Sequence, residues 1–337
     1  MKMLKKLIIC LLVLSLTACS SKGSSGVRSY HTYTVYPIGY LLNRIGGNRI
    51  NTVSIQTSAS VQNANIIDNS KIILDKTMCL YSINGLEPYF EVYEKEIESA
   101  GLKRLDLSKS SIYAFKRYTP VMTSGNYTFV ESDYYDGDAF TKLDTYTDDL
   151  FIWLDPIGML SMAKLIYNNL ANNYVEQKAY FEANYTALES DLISLDAAYQ
   201  NLATSLKKEN KTIKFVSMTA SFGSWQKAYG IETYPVCLSK YGALPTKSQL
   251  DLIKKRIIED KVEYIAYEPN MSADMLGLFM QLESELNLKR VNLSNLSSLT
   301  VTQQTDNKDY LKIMYENLAV LENLATSVLQ KNSDVGE

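Results

Sequence analysis

Between residues 174 and 208 the positions Phe181, Tyr185, Leu188, Leu192, Leu195, Tyr199, Leu202 and Leu206 follow one another at spacings of 4, 3, 4, 3, 4, 3 and 4. That alternation keeps all eight side chains on one face of an α-helix. At about 1.5 Å per residue, positions 181–206 span roughly 39 Å, more than one small sheet requires and enough to run the length of a two-lobed molecule. A two-stranded coiled coil would use the same pattern. Two tyrosines fall in the stripe and both flanks have α/β character, so the stripe is expected to pack within one chain, as a monomer.

Before the stripe, residues 30–36 (YHTYTVY) alternate and are rich in β-formers, Pro37 opens a helical stretch closed by Gly46 and Gly47, and residues 51–57 (NTVSIQT) form a second strand. Strand, helix and strand in under thirty residues build a parallel sheet. Further strands are expected at 77–83 and 150–154, with a helix at 88–99. After Asn210 the alternation resumes, with strands at 212–218, 233–238, 262–267 and 290–293. Helices are expected at 222–229, 247–258, 273–286 and 308–329. The fold class is therefore α/β: two lobes joined by one long helix, with a ligand cleft between them. The boundaries read from sequence are a leader at 1–18, a tether at 19–28, an N-terminal lobe at 29–173, the connecting helix at 174–208 and a C-terminal lobe at 209–332.

The leader carries Lys2, Lys5 and Lys6, then an apolar run at 7–16 and small residues. A run of about ten residues is half of the ~20 needed to cross a bilayer, so it reads as a secretory signal peptide rather than a span. Leu16, Thr17, Ala18 and Cys19 resemble the bacterial lipobox, which makes Cys19 the lipidated N-terminus of the mature protein. The Ser/Gly-rich stretch after it suits a flexible tether. The body is then extracytoplasmic and membrane-anchored. Cys79 and Cys237 remain in the body, each in or beside a strand-like apolar run, and are expected as buried thiols rather than a disulfide.

The charge balance, 34 basic against 37 acidic residues, supplies no basic surface for nucleic acid. His31 is the single histidine, so no imidazole triad or His-rich metal site can be built. It precedes the first strand, at the end far from the cleft, and is expected to be a solvated surface residue. There is no GxSxG elbow, Cys–His pair or HExxH, and the chain is not expected to be an enzyme.

Tyr36 and Pro37 followed by 44–50 (RIGGNRI), then 85–89 (GLEPY) and 153–156 (WLDP), occur in order in the first half. The second half has Phe222 and Gly223, then 228–232 (AYGIE), Pro245 and Thr246, Glu268 and Pro269, and Asp309 and Tyr310. In this order, with these elements between them, the chain resembles the substrate-binding lipoproteins of bacterial zinc and manganese ABC importers. The resemblance implies a membrane ABC permease as partner. It also implies a Zn²⁺ or Mn²⁺ held in the cleft by three or four His and acidic ligands drawn from both lobes.

The matching positions do not carry those ligands. The first falls near Val61, Gln62 or Asn63, the second at Phe151, the third at Thr219 and the fourth at Ser294. These neutral residues, taken as cleft candidates, supply neither charge nor imidazole for a divalent ion, so no zinc or manganese is expected at the family positions. A loop slip that turned Asp149 inward, with Asp148 and Asp155 nearby, would restore a metal receptor. The acidic stretch Glu131, Asp133, Asp136, Asp138, Asp144, Asp148 and Asp149 lacks the spacing of an EF-hand and reads as a solvated loop. Several tyrosines, among them Tyr33, Tyr36, Tyr134, Tyr135 and Tyr267, could line a partly aromatic cleft. Three functions follow in order: a solute-binding lipoprotein with a divergent cleft, a metal receptor using Asp148, Asp149 or Asp155, and a surface adhesion protein on the same scaffold.

Overall fold

The computed structural model describes residues 28–330 apart from 58, 111–112, 118–121, 125–126, 133–134, 136–137, 141 and 147. The leader, Cys19, the tether up to residue 27, and Asp133 and Asp136 of the acidic stretch lie outside the described residues.

The first lobe alternates β1 (Tyr30–Tyr33), α1 (Tyr36–Gly46), β2 (Asn51–Ser54), α2 (Ser70–Asp75), β3 (Thr77–Ser82), α3 (Phe90–Ser99) and β4 (Lys103–Asp106). The four strands form a parallel sheet in the order β2-β1-β3-β4. Beyond it, β5 (Tyr113–Arg117), β6 (Met122–Ser124) and β7 (Tyr127–Ser132) make a small mixed sheet that the sequence pattern did not suggest.

Residues 150–154 are not a strand. They form a 3₁₀ turn at Ile152–Leu154 that leads into α4 (Pro156–Asn173), an 18-residue helix missing from the sequence reading. Asp155 is its N-cap, accepting from the Ile157 N–H at 2.9 Å, and Pro156 occupies the first turn, where its missing N–H is harmless. The apolar run is buried because Trp153 is pinned between lobes. Its indole donates to the Asn295 carbonyl at 2.7 Å, and its own carbonyl accepts the Tyr310 hydroxyl at 2.6 Å.

The chain breaks at Tyr174 and a 3₁₀ turn, then runs as α5 (Lys178–Lys208), 31 residues or about 46 Å. The buried residues of α5 are the eight of the stripe. On one side α5 packs on α1 and α4. The Arg44 guanidinium meets Asp191 at 2.7 Å, and Asn184 donates to the Ile45 carbonyl at 3.0 Å. Gly47, at φ +53°, ends α1 so close to this helix that a Cβ would sit 2.2 Å from the Tyr180 hydroxyl.

The second lobe holds β8 (Lys214–Thr219), α6 (Gly223–Tyr229), β9 (Glu232–Cys237), α7 (Lys247–Glu259), β10 (Tyr264–Tyr267), α8 (Ala273–Glu285), β11 (Lys289–Asn292), α9 (Val301–Thr305) and α10 (Tyr310–Gln330). Its parallel sheet has the order β11-β10-β8-β9, and Pro235 is tolerated because β9 lies at the edge. The other end of α5 packs on α6 and α10, with Tyr199 donating to the Met314 carbonyl at 2.8 Å. The architecture is thus two α/β lobes linked by a long helix. One apolar cluster runs without a break from Ile38 through Leu192 to Trp225 and Tyr310, so the lobes share a core along α4 and α5.

His31 is not solvated. It lies inside β1, fully buried, with Nδ1 2.9 Å from the Tyr81 hydroxyl and Nε2 2.8 Å from that of Tyr174. Tyr81 donates to Asn169 Oδ1 at 2.9 Å, which makes Nδ1–H the donor to Tyr81 and leaves Nε2 facing the Tyr174 hydroxyl, which also lies 3.2 Å from Met78 Sδ. Burial lowers the imidazole pKa from 6.5 to about 4. Cys79 and Cys237 are free and buried.

Candidate functional site at the lobe junction

In parallel α/β sheets, ligands bind beyond the carboxyl ends of the strands, where loops and helix starts leave polar groups free. Here those ends meet. Past β1, the Tyr36 N–H donates to the Ser297 carbonyl at 3.3 Å; past β2, the Ser60 N–H donates to the Asn270 carbonyl at 3.3 Å. The C-lobe loop at Gly242 rests on Gln62 and Asn63, so closely that a Cβ would lie 3.0 Å from that of Gln62.

Glu268 follows β10 and is buried at the centre of the C-lobe face. Its Oε1 accepts the Met218 and Thr219 N–H groups at 2.7 and 2.9 Å, and its Oε2 accepts the Thr219 hydroxyl and, at 2.8 Å, the Asn295 amide. Burial raises the pKa of this carboxyl while the four donors hold it down. The single hydroxyl proton of Thr219 goes to Glu268, so Ser221, 2.7 Å away, donates to Thr219. The sequence motif contained Glu268 but did not reveal it as the hub. A lone acid immediately after a strand was the available signal.

Of the four positions expected from the resemblance, Thr219 and Ser294 flank Asn295 and Phe151 reaches it through Trp153. Thr219 shares Glu268 with it. Ser294 precedes it, with its N–H and carbonyl bound by the Asn317 amide at 2.9 and 2.8 Å and its hydroxyl accepting the Leu296 N–H at 3.2 Å. Phe151 is buried between Tyr146 and Trp153, with ring centroids at 6.0 and 5.3 Å, and Trp153 holds the Asn295 carbonyl. Asn63 stands apart in a 3₁₀ turn of the N-lobe, exposed, with its amide donating to Ser60 Oγ at 2.9 Å.

The acidic substitutes point to separate tasks. Asp148 is exposed. Asp149 is buried, accepting the Phe151 N–H at 3.2 Å and the Ser224 N–H in the first turn of α6, and burial pushes its pKa up to about 7. Asp155 caps α4. Among the described residues no three His, Cys, Asp or Glu side chains gather closely enough to hold a metal ion. A divalent cation needs carboxylate, thiolate or imidazole ligands to replace its hydration, and the carboxylate beside Thr219 and Asn295, Glu268, already accepts four hydrogen bonds. The residues at the family positions do not fit such an ion.

A second buried carboxyl, Glu87, joins β1 to the turn after β3. Its Oε1 accepts the Thr34 hydroxyl and the Ile83 N–H at 3.2 Å, its Oε2 has no hydrogen-bond partner among the described residues, and burial raises its pKa from 4.5 to about 7. Beside Thr34, a cavity of about 500 Å³ opens between the lobes, lined on one side by Tyr33, Ser54 and Gln56 and on the other by Ser297, Ser298 and Gln304.

The chain matches the profile of the family described as ZnuA, zinc-uptake complex component A, periplasmic, over residues 32–324. It is 25% identical over 323 residues to the zinc-binding lipoprotein AdcA of Streptococcus pneumoniae, covering 95% of this chain and 60% of that one. The chain therefore spans about 60% of the length of that curated relative. Among solved structures, the Zn(II)-bound ZnuA-like domain of S. pneumoniae AdcA superposes with a TM-score of 0.62 at 19% identity, over 88% of this chain and 99% of that one. The laminin-binding protein Lmb of Streptococcus agalactiae, described as having adhesin and metal-transporting activity, gives 0.66 at 17% identity over the same shares. These superpositions, covering most of both chains, show that the two-lobed fold is shared. With the profile match running through nearly all of both lobes, the chain belongs to the ZnuA family of solute-binding lipoproteins.

Proposed function

We propose that the chain is the extracytoplasmic, lipid-anchored solute-binding component of an ABC importer, non-catalytic, with a permease in the membrane as its partner. Family membership supports this role. So does the leader with its lipobox cysteine, Cys19, followed by the tether at 19–28 and by lobes at 29–173 and 209–332 around the helix at 174–208. Its solute is not a bare Zn²⁺ or Mn²⁺ held at Asn63, Phe151, Thr219 and Ser294. The observation that carries this is the Glu268 network, which commits Thr219, Asn295 and the Glu268 carboxylate to one another. Calorimetric titration of chelator-treated protein tests it. No sub-micromolar, one-to-one isotherm is expected with either ion, and one abolished by Asp149→Ala would restore the metal receptor and overturn the proposal.

A further inference from the structure

Among the described residues, none that lines the cavity at the lobe junction is charged at neutral pH, whereas other cavities of the molecule are lined with lysines and carboxylates. Its polar groups are only partly used within the protein. Gln56 is more than nine-tenths buried; its Oε1 accepts the Tyr89 hydroxyl at 3.0 Å, while its amide N–H groups bond no described residue. Ser298 Oγ accepts the Asn270 amide at 2.7 Å, which leaves its own proton unassigned. Gln304 uses its amide nitrogen on the Leu299 carbonyl and keeps its oxygen open, and the Tyr33 hydroxyl bonds no described residue.

The walls are rigid. Tyr33 lies flat against the α1 backbone, where a Cβ on Gly39 would be 2.4 Å from its ring. Across the cavity, the loop at 294–298 contains Leu296 at φ +58°, a conformation that bulky residues rarely adopt and that persists only where surrounding bonds enforce it. Those bonds are present: Ser297 donates twice to Asn295 Oδ1, Trp153 holds the Asn295 carbonyl, and Asn317 holds Ser294. The strained loop presents Ser297 and Ser298 to the cavity.

From this geometry we infer that the cavity between Gln56 and Ser298 is the solute site, and that it takes a neutral polyhydroxylated molecule of mono- to disaccharide size. The inference rests on the receptor reading above. An ion, or the zwitterion of an amino acid, would lose its hydration with no opposite charge to replace it. An apolar ligand would strand the open amide and hydroxyl groups. A solute with many hydroxyls can both donate and accept, meeting Gln56 and Ser298 as donors and Gln304 as acceptor, with the Tyr33 ring as an apolar face. A volume of about 500 Å³ lies in the range of small-molecule sites.

The test is calorimetry and thermal shift on the full chain with a panel of neutral mono- and disaccharides and polyols, each beside its acid and amine analogue. Binding of at least one neutral probe at millimolar Kd or better is expected, with its charged analogues silent. Gln56→Leu and Gln304→Ala should each weaken it about tenfold. Gln304 is exposed, so that variant should fold even if Gln56→Leu does not. A silent neutral panel, equal binding of charged analogues, or affinity unchanged in Gln304→Ala overturns the assignment. Zn²⁺ is titrated in parallel: a sub-micromolar isotherm would overturn the receptor reading itself, while silence in both arms overturns the cavity assignment alone.

Discussion

Leu192 sits midway along α5 and is fully buried, whereas its neighbour Ile193 is 51% exposed. Truncating Leu192 to alanine removes three carbons from water-free surroundings, about 2.4 kcal/mol at ~0.8 kcal/mol per methylene. If the pocket does not collapse, a void of about 80 Å³ adds roughly 2 kcal/mol at ~24 cal/mol per Å³. Collapse is restricted here, because the stripe is wedged between α4 on one side and α10 on the other. The expected cost of Leu192→Ala is therefore about 3 to 5 kcal/mol, against no more than about 1 kcal/mol for Ile193→Ala. Urea denaturation followed by tryptophan fluorescence reads both, since Trp153 and Trp225 belong to the same cluster as Leu192. The shared core also predicts one transition rather than two. A Leu192→Ala loss below about 0.5 kcal/mol, or separate transitions for the two lobes, would refute the idea that α5 joins the lobes through one core.

Glu87 has a raised pKa, so its stabilising protonated form is complete below 4.5 and lost as pH rises through about 7. Glu87→Gln should match the parent near pH 4.5 and exceed it by up to about 3 kcal/mol at pH 8; a constant difference across that window refutes the assignment. His31 has a lowered pKa, so it contributes stability above 6.5 that is lost as pH falls toward 4. Because it is the single histidine, its imidazole resonance is unambiguous and should titrate near pH 4, not 6.5. Thr219→Val strips one donor from the buried Glu268 carboxylate and should cost about 1 to 3 kcal/mol in urea melts, with a negligible loss showing that the network is dispensable.

The stripe was legible because helical spacing is a local property, and the strands because β-branched and aromatic residues cluster between turn signals. Residues 150–154 were misread because a five-residue apolar run looks alike in a buried strand and a buried turn; Asp155 and Pro156, a cap followed by a first-turn proline, were the overlooked arbiter. The burial of His31 could not be read locally. It depends on Tyr81 and Tyr174, 50 and 143 positions away, folding over the start of β1. The tyrosines divide in the same way: Tyr33 and Tyr36 line the junction cavity, while Tyr135 is buried and stacked 5.7 Å from Phe140. Motif order could align Phe151, Thr219 and Ser294 with ligand positions, but their grouping near Asn295 required the strand order of the C-lobe sheet and the docking of the Trp153 turn against it.

An ion bound between two lobes would add an electrostatic link between them. Here the same space is spanned by direct bonds between neutral groups: Ser60 to Asn270, Tyr36 to Ser297 and Trp153 to Asn295. Each is a net contribution of only about 1 kcal/mol. The exposed rim adds the Glu91 carboxylate, which meets Lys240 at 3.3 Å and the Tyr241 hydroxyl at 3.0 Å, a link that salt would screen. Closure in this chain is therefore carried by the backbone and by Asn295. The buried Glu268 carboxylate anchors the loop bearing Ser297 and Ser298 through Asn295. A solute entering beside that loop meets a wall already set, so its binding energy goes into contacts with hydroxyl and amide groups and not into ordering the lobes.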